Sequence, residues 1–250
     1  MSEVINTKAI VLNHLKYSES DLIVTFLTEG HGIVKAIAKG AQKSRKRFPG
    51  GFEPFTVLAL GITVKESGGL ARVDMADVID PHFPIREDLA RIAAGAGFVE
   101  LASLMELGAD ESVVAFDLLS RALVLLDNSN DPASISAVFF IKYLDISGFG
   151  PPVGECNRCG ASLAKTGAIY QGGHGLLCPR CAGGGRGARL SPGTLAFIAR
   201  AVSLDASRMG RLRLSGAAKD EVYAFLDGYA SASVGKRIKA LTAGYLAAFS

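Results

Sequence analysis

Four cysteines, the only ones in the chain, stand in two matched pairs, Cys156-Asn-Arg-Cys159 and Cys178-Pro-Arg-Cys181. Two residues between the cysteines of a pair let a tight turn aim both sulfurs at one point. The pairs are 18 residues apart, a spacing typical of zinc ribbons. Four thiolates complete a tetrahedral shell around Zn²⁺ and leave no position for water or substrate, so the pattern predicts a structural zinc ion.

Three alternatives compete with that interpretation. Two disulfides are the first, but Met1-Ser-Glu-Val lacks the basic start of a signal peptide, and a reducing compartment favours metal. The second is ligation by His174, for which a solvated loop histidine is the simpler hypothesis. The third is a zinc hydrolase or deaminase, which requires an open coordination position that four cysteines do not leave.

The charge is unevenly distributed along the chain. Residues 1–50 carry eight Lys/Arg and four Asp/Glu, a net charge of +4. Residues 51–130 carry five and thirteen, a net charge of −8, and residues 131–250 carry fourteen and seven, a net charge of +7. Basic ends around an acidic middle predict an anionic partner that contacts at least one end.

The hydrophobic fraction of 49% allows a substantial core. No run approaches the roughly 18 apolar residues of a membrane span. We therefore expect a soluble, cytoplasmic protein without a membrane segment.

Five short segments rich in Val, Ile, Leu and Thr occupy the first eighty residues and predict strands. These segments are residues 8–12, 22–28, 33–38, 55–65 and 70–79. Glycine-containing turns such as Glu29-Gly-His-Gly32 separate them. Five short strands suit a small closed barrel, for which an OB-fold is the first candidate and an SH3-like barrel the alternative.

After Pro81 and Pro84, apolar residues recur every three or four positions, which predicts helices. Asp131-Pro132 and Ser191-Pro192 each combine an N-cap with a first-turn proline. The predicted helices cover about 85–104, 113–126, 132–148, 192–204, 217–226 and 230–249.

The predicted fold class is therefore α+β and multidomain. An N-terminal OB-fold β-barrel is followed by an all-α helical domain with an embedded four-cysteine zinc module. The predicted boundaries are 1–80 for the OB-fold domain, 81–152 and 190–250 for the two parts of the helical domain, and 153–189 for the zinc ribbon-like module.

A basic loop joins the third and fourth predicted strands. Residues 35–47 hold six basic residues and no acid. The six are Lys35, Lys39, Lys43, Arg45, Lys46 and Arg47. Nucleic-acid phosphates relieve such self-repulsion, because each contact releases condensed counterions. Phe48, Phe52 and Tyr17 are candidate rings for stacking on unpaired bases; the alternatives are phenylalanines buried under a solvated loop and a structural tyrosine.

The sequence offers no catalytic constellation. The histidines at 14, 31, 82 and 174 are scattered, and the P-loop pattern GxxxxGK[ST] is missing. The acidic pairs Glu87-Asp88 and Asp110-Glu111 fall at predicted helix starts, where the helix dipole favours them. The chain is thus not expected to be an enzyme.

Several motifs, in order, resemble RecO, the bacterial recombination mediator family. The N-terminal motifs are Tyr17-Ser-Glu-Ser-Asp-Leu-Ile-Val24, Thr28-Glu-Gly-His-Gly32, Ala38-Lys-Gly-Ala41 and Glu53-Pro-Phe55. The later motifs are Leu144-Asp-Ile-Ser-Gly148-Phe-Gly150-Pro-Pro152, Cys156-x-x-Cys159-Gly160, Gly172-Gly-His-Gly175, Cys178-Pro-Arg-Cys181 and Leu190-Ser191. The resemblance spans essentially the whole chain.

The resemblance implies an OB domain, a helical domain, a zinc module and no catalytic chemistry. It also implies binding to single- and double-stranded DNA and annealing of complementary strands. The implied protein partners are RecR, the acidic C-terminal tail of single-stranded-DNA-binding protein and, indirectly, RecA, which the family helps to load onto coated strands. A protein-interaction scaffold without direct DNA affinity is the alternative function.

Overall fold

The computed structural model describes residues 2–44, 48, 51–65, 69–214 and 216–241, without the side chains of Lys65 and His174. Five strands open the chain and close into a barrel in the order β1-β2-β3-β5-β4, with β4 returning to β1. They are β1 (Ser2–Lys16), β2 (Leu22–Thr28), β3 (Gly32–Ala38), β4 (Val57–Lys65) and β5 (Ala71–Asp80).

The pairing of the strands agrees with an OB-fold. β3 and β5 are parallel, with Ala36 opposite Ala71, and the other neighbouring pairs are antiparallel. The parallel closure between the third and fifth strands fits the predicted OB-fold rather than the SH3-like alternative.

β1 is much longer than the predicted segment 8–12. Its first half, from Ser2 to Ile10, pairs with β4, and its second half pairs with β2. The register shifts between Val11 and Asn13. Such a bulge increases the local bend of a strand, so one strand can serve both neighbours as the barrel closes.

The barrel has its own apolar interior. Alternate residues of its strands point inward, including Val11, Val24, Phe26 and Leu60. Their burial removes apolar surface from water, which is the main contribution to the stability of so small a barrel.

Helices form most of the remaining chain. They are α1 (Leu89–Leu104), α2 (Ala109–Asp127), α3 (Pro132–Ile146), α4 (Pro179–Ala182), α5 (Pro192–Ser203) and α6 (Gly216–Val234). A 3₁₀ turn, Phe83–Glu87, precedes α1. The two predicted N-caps are confirmed: Asp131 accepts a hydrogen bond from the Ser134 N–H, and Ser191 accepts one from the Thr194 N–H.

The predicted break between two C-terminal helices is wrong. A single helix, α6, continues through Gly228, and residues 242–249 of the last predicted helix lie outside the described residues. A Cβ at Gly228 would come within 2.9 Å of the Tyr170 ring. This glycine therefore permits close packing of α6 against the four-cysteine module and does not end the helix.

A second core joins the helices to both neighbouring parts of the chain. Phe55, from the end of the basic loop, packs in this core with Ile85 and Phe98. Cys156 and Leu163 of the four-cysteine module (residues 153–189) belong to the same core. The predicted domain boundaries remain predictions, although β5 ends at Asp80.

None of the helices among the described residues has the length and apolarity needed to cross a bilayer.

Candidate metal centre and nucleic-acid interface

The four-cysteine module is built from short elements. β6 (Ala168–Tyr170) lies between β7 (Leu176–Leu177) and β8 (Ala188–Leu190) in a three-stranded antiparallel sheet. The first cysteine pair lies in the turn before this sheet, and the second pair begins α4, which follows β7 directly. Two- and three-residue strands are marginal alone, so the module needs a further source of stability.

The four sulfurs converge as the spacing predicted. They lie within 4.8 Å of one another, and the Cys159 and Cys178 sulfurs are 3.9 Å apart. Zn–S bonds of about 2.3 Å in a tetrahedron place sulfurs about 3.8 Å apart. All four cysteines are free thiols, and a disulfide would need sulfurs about 2.05 Å apart. The donor set therefore fits a tetrahedral thiophilic metal ion.

Backbone amides already favour the thiolate form in the first pair. The Cys178 N–H donates to the Cys156 sulfur at 3.3 Å and lowers the pKa of Cys156 to about 6. The Ala161 N–H lowers the pKa of Cys159. The hydrogen bond with Cys159 raises the pKa of Cys181 to about 12, because it stabilises the protonated thiol of Cys181 beside the other sulfurs. A bound dication would favour the thiolate form of all four cysteines, which again fits a metal centre.

Three of the predicted DNA-binding residues, Tyr17, Lys39 and Lys43, lie at one corner of the barrel. The barrel corner consists of the loop from Tyr17 to Asp21 and the turn from Lys39 to Ser44. The Gln42 amide donates to the Ser18 carbonyl at 2.8 Å, and the Gln42 N–H donates to the Ser20 carbonyl at 3.0 Å. Tyr17 is 61% exposed, and Lys39 and Lys43 are also exposed. A ring and two cations therefore share this corner.

Asp21 holds the start of the basic loop in place, a role that the sequence patterns did not predict. Its carboxylate accepts the Gly40 N–H at 2.8 Å, and this bond lowers the pKa of Asp21. Gly40 has a φ of +73°, a conformation that glycine adopts without steric cost. The sequence indicates the two turns, because an Asx residue and a Lys-Gly pair both favour turns. It does not indicate that the two turns bond to each other, because they lie 19 positions apart.

The structure corrects the stacking prediction for Phe48 and Phe52. Each is only 2% exposed, and their ring centroids are 5.1 Å apart. Phe52 also packs edge-on against Phe26 of β2, and its carbonyl lies 2.8 Å from His14 Nδ1. Both rings lie in the barrel interior because their burial there removes apolar surface from water, whereas an exposed position would leave that surface hydrated. They anchor the basic loop instead of presenting faces to bases.

Among the remaining predicted basic residues, the structure describes Lys35. It is exposed on β3, opposite Thr25 and four residues before Lys39 in the sequence. Arg45, Lys46 and Arg47 lie outside the described residues, as does the side chain of His174.

A second polar cluster fastens the barrel to the helices. His82 is 1% exposed, and its Nδ1 lies 2.6 Å from a carboxylate oxygen of Asp127 at the end of α2. The His82 N–H donates to Asp80, the last residue of β5, at 2.9 Å. His82 has a φ of +47°, an uncommon conformation for a residue other than glycine. This contact joins residues 45 positions apart, so periodicity gave no sign of it.

Comparisons with known proteins place the chain among recombination proteins. Residues 1–82 match the family described as Recombination protein O N terminal, and residues 86–242 match Recombination protein O C terminal. DNA repair protein RecO from Geobacter metallireducens is 32% identical over 240 residues, which cover 96% of each chain.

Two further relatives show the same extent of similarity. DNA repair protein RecO from Desulfatibacillum aliphaticivorans is 31% identical over 255 residues, 95% of each chain. The protein of that name from Geobacter sulfurreducens is 33% identical over 238 residues, 95% of this chain and 96% of its own. Two family matches that together span nearly the whole chain confirm the resemblance seen in the motifs: the chain belongs to the RecO family.

Proposed function

We propose that this chain acts in DNA repair and homologous recombination by binding single- and double-stranded DNA and annealing complementary strands. The barrel corner carries this proposal, since it combines exposed Lys39 and Lys43 with the exposed ring of Tyr17. Cations neutralise phosphates, and aromatic rings stack on unpaired bases in OB-type surfaces. Arg45, Lys46 and Arg47 continue the same loop in the sequence.

Annealing is a physical task that requires no nucleophile. Two strands repel each other until their phosphate charge is offset, and their bases must stay accessible for pairing. A basic surface with few contacts to base edges satisfies both needs. The protein is accordingly proposed to be a mediator and not an enzyme.

The four-cysteine module is proposed to hold a structural Zn²⁺ through Cys156, Cys159, Cys178 and Cys181. When bound, the ion neutralises the clustered thiolates and cross-links two turns that have little core of their own. Four sulfur ligands close the coordination shell, so the ion would support the fold and leave no position for a substrate.

Family membership supports further proposals about partners. The chain is proposed to act in the bacterial cytoplasm at the nucleoid, together with RecR. It is also proposed to engage the C-terminal tail of single-stranded-DNA-binding protein and to help load RecA onto coated strands.

A protein-interaction scaffold without DNA affinity is the second candidate. Phe83 is 65% exposed and Leu89 is 71% exposed, and both lie in the acidic part of the chain. Exposed apolar residues beside charged ones are common at protein-binding surfaces.

A titration of fluorescence-labelled single-stranded DNA, followed by anisotropy across a salt series, separates the two candidates. Six phosphate contacts from the basic stretch would give a log–log slope of roughly −4. The Lys39→Gln/Lys43→Gln variant should weaken binding and flatten the slope by about 1.4, because two contacts are lost. A variant that removes charge at Lys43, Arg45, Lys46 and Arg47 should flatten it further.

The matched control is Lys8→Gln/Arg72→Gln, which removes the same charge from exposed positions elsewhere on the barrel. Equal weakening in the control and the corner variant would show that net charge alone matters and would contradict a site at the corner. The absence of any wild-type DNA binding would support the scaffold candidate.

A further inference from the structure

Both cysteine pairs carry an arginine at the same position. Arg158 immediately precedes Cys159, and Arg180 immediately precedes Cys181. Cys159 is exposed and Cys181 is half-buried, whereas Cys156 and Cys178 are buried. Each arginine thus stands beside the more accessible cysteine of its own pair.

The two arginines cross between the pairs. Arg158 of the first pair donates from Nη1 to the Cys181 carbonyl of the second pair at 2.8 Å. The Cys159 sulfur of the first pair raises the pKa of Arg180 in the second pair. Each arginine is thus linked to the opposite pair, Arg158 by a hydrogen bond and Arg180 by charge.

Charge explains why guanidinium groups suit these positions. Four thiolates around one Zn²⁺ leave a net charge of −2, and two guanidinium groups offset it locally. Arginine presents its donors in a rigid planar fork, and hydrogen bonds to a charged acceptor are about twice as strong as neutral ones. Groups that bond metal ligands in this way commonly change metal affinity by about 10- to 100-fold.

Two other arginines of the module provide a contrast. Arg186 and Arg189 are exposed, and within the described part of the chain neither has a hydrogen bond or ion pair to the cysteines. They have the same charge and lie within ten residues of Cys181, so they serve as an internal reference for Arg158 and Arg180.

We propose that Arg158 and Arg180 are positioning residues that retain the metal ion, Arg158 by fastening the first cysteine turn to the second and Arg180 by offsetting the charge of the thiolates. This inference rests on the proposed zinc site. It also divides the four arginines of the module into Arg158 and Arg180, which would support the metal centre, and Arg186 and Arg189, which would not.

The test is the rate at which zinc-loaded full-length protein gives up its metal to excess chromogenic chelator. Arg158→Gln/Arg180→Gln should release zinc about tenfold faster than wild type. Arg158→Lys/Arg180→Lys should be intermediate, because lysine keeps the charge but lacks the fork. Arg186→Gln/Arg189→Gln should release zinc at the wild-type rate.

Cobalt(II) substitution keeps the result interpretable. The absorption spectrum of a tetrahedral all-thiolate site in Arg158→Gln/Arg180→Gln would show that the cage still forms, so faster release would report retention and not misfolding. If the spectrum is lost, the single variant Arg180→Gln takes its place in the release assay.

Equal release from wild type and Arg158→Gln/Arg180→Gln would overturn the proposal, as would equal acceleration in Arg186→Gln/Arg189→Gln. A wild-type protein that binds no zinc would instead refute the zinc site on which the inference rests.

Discussion

The barrel corner and the four-cysteine module both expose basic residues, but different forces hold them. At the corner, Asp21 and Gln42 bind two loops together, and Phe48 and Phe52 anchor the following chain inside the barrel. The module combines strands of two or three residues with four converging sulfurs. The corner therefore depends on an apolar interior, whereas the module is proposed to depend on a metal ion held by its four cysteines.

The two regions are accordingly proposed to make different contributions to function. The corner offers cations beside an exposed ring, which suits contact with both phosphates and bases. In the module, Arg158 donates a hydrogen bond to the other cysteine turn, and the Cys159 sulfur raises the pKa of Arg180. Basic residues in one chain are therefore proposed to have distinct roles, which net charge does not reveal.

The largest expected effect is that of metal removal. Chelation should greatly increase amide exchange in β6, β7 and β8, because structural zinc contributes on the order of 10–16 kcal/mol of apparent binding free energy. The strands of the barrel should keep their protection. Hydrogen-exchange mass spectrometry with and without chelator measures both regions at once. Unchanged protection in the module, or equal loss in the barrel, would refute the division between the two regions.

Truncation of Phe52 should destabilise the barrel without affecting the four-cysteine module. Phe52→Ala should lower the free energy of unfolding by about 3–5 kcal/mol, because it removes a fully buried ring. Urea denaturation measures the loss, and Tyr17→Ala, at an exposed site, should stay within about 0.5 kcal/mol of wild type. Zinc content should not change. A Phe52→Ala protein that unfolds at the wild-type urea concentration would contradict the anchoring role.

Loss of the exposed ring at the corner should weaken binding to single-stranded DNA. Tyr17→Ala is expected to cost about 1–3 kcal/mol of binding free energy, the usual contribution of one stacked base. Tyr17→Phe keeps the ring and should bind nearly as well as wild type. Anisotropy titrations at one fixed salt concentration compare them. If both variants match wild type, Tyr17 does not stack on a base.

The smallest expected effect is a local response to acid at the root of the loop. The Gly40 N–H lowers the pKa of Asp21 in the folded protein, so the carboxylate–amide bond is fully formed above the unfolded pKa of about 3.9. It is lost as the pH falls through the lower, folded value. The Gly40 amide resonance should therefore titrate below about pH 3.9, and in Asp21→Asn this transition should be missing. A Gly40 resonance that behaves alike in both proteins would argue against this bond.

Local patterns predicted the features that are encoded locally. The CxxC spacing predicted converging sulfurs because each turn contains its own two ligands. Asp131-Pro132 and Ser191-Pro192 predicted helix starts because an N-cap acts within three residues. The segment 22–28 predicted β2 with its observed bounds, since both ends are marked by turn residues.

Features that depend on distant partners were not predictable in this way. The first half of β1 is mostly polar and forms a strand because β4 lies beside it. The predicted gap between residues 226 and 230 is absent because α6 runs through Gly228, which packs against the Tyr170 ring. Phe48 and Phe52 occur in a basic loop that suggested exposure, yet the barrel interior buries them. The links of Arg158 and Arg180 to the opposite cysteine pair likewise depend on how the two turns pack together.

The most direct test of the central claim is a hydrogen-exchange footprint of the full-length protein with and without a short single-stranded oligonucleotide. The account predicts new protection at residues 17–21 and 39–44, and little change in the four-cysteine module. Protection confined to the module or to the helices, with the barrel corner unchanged, would contradict the account.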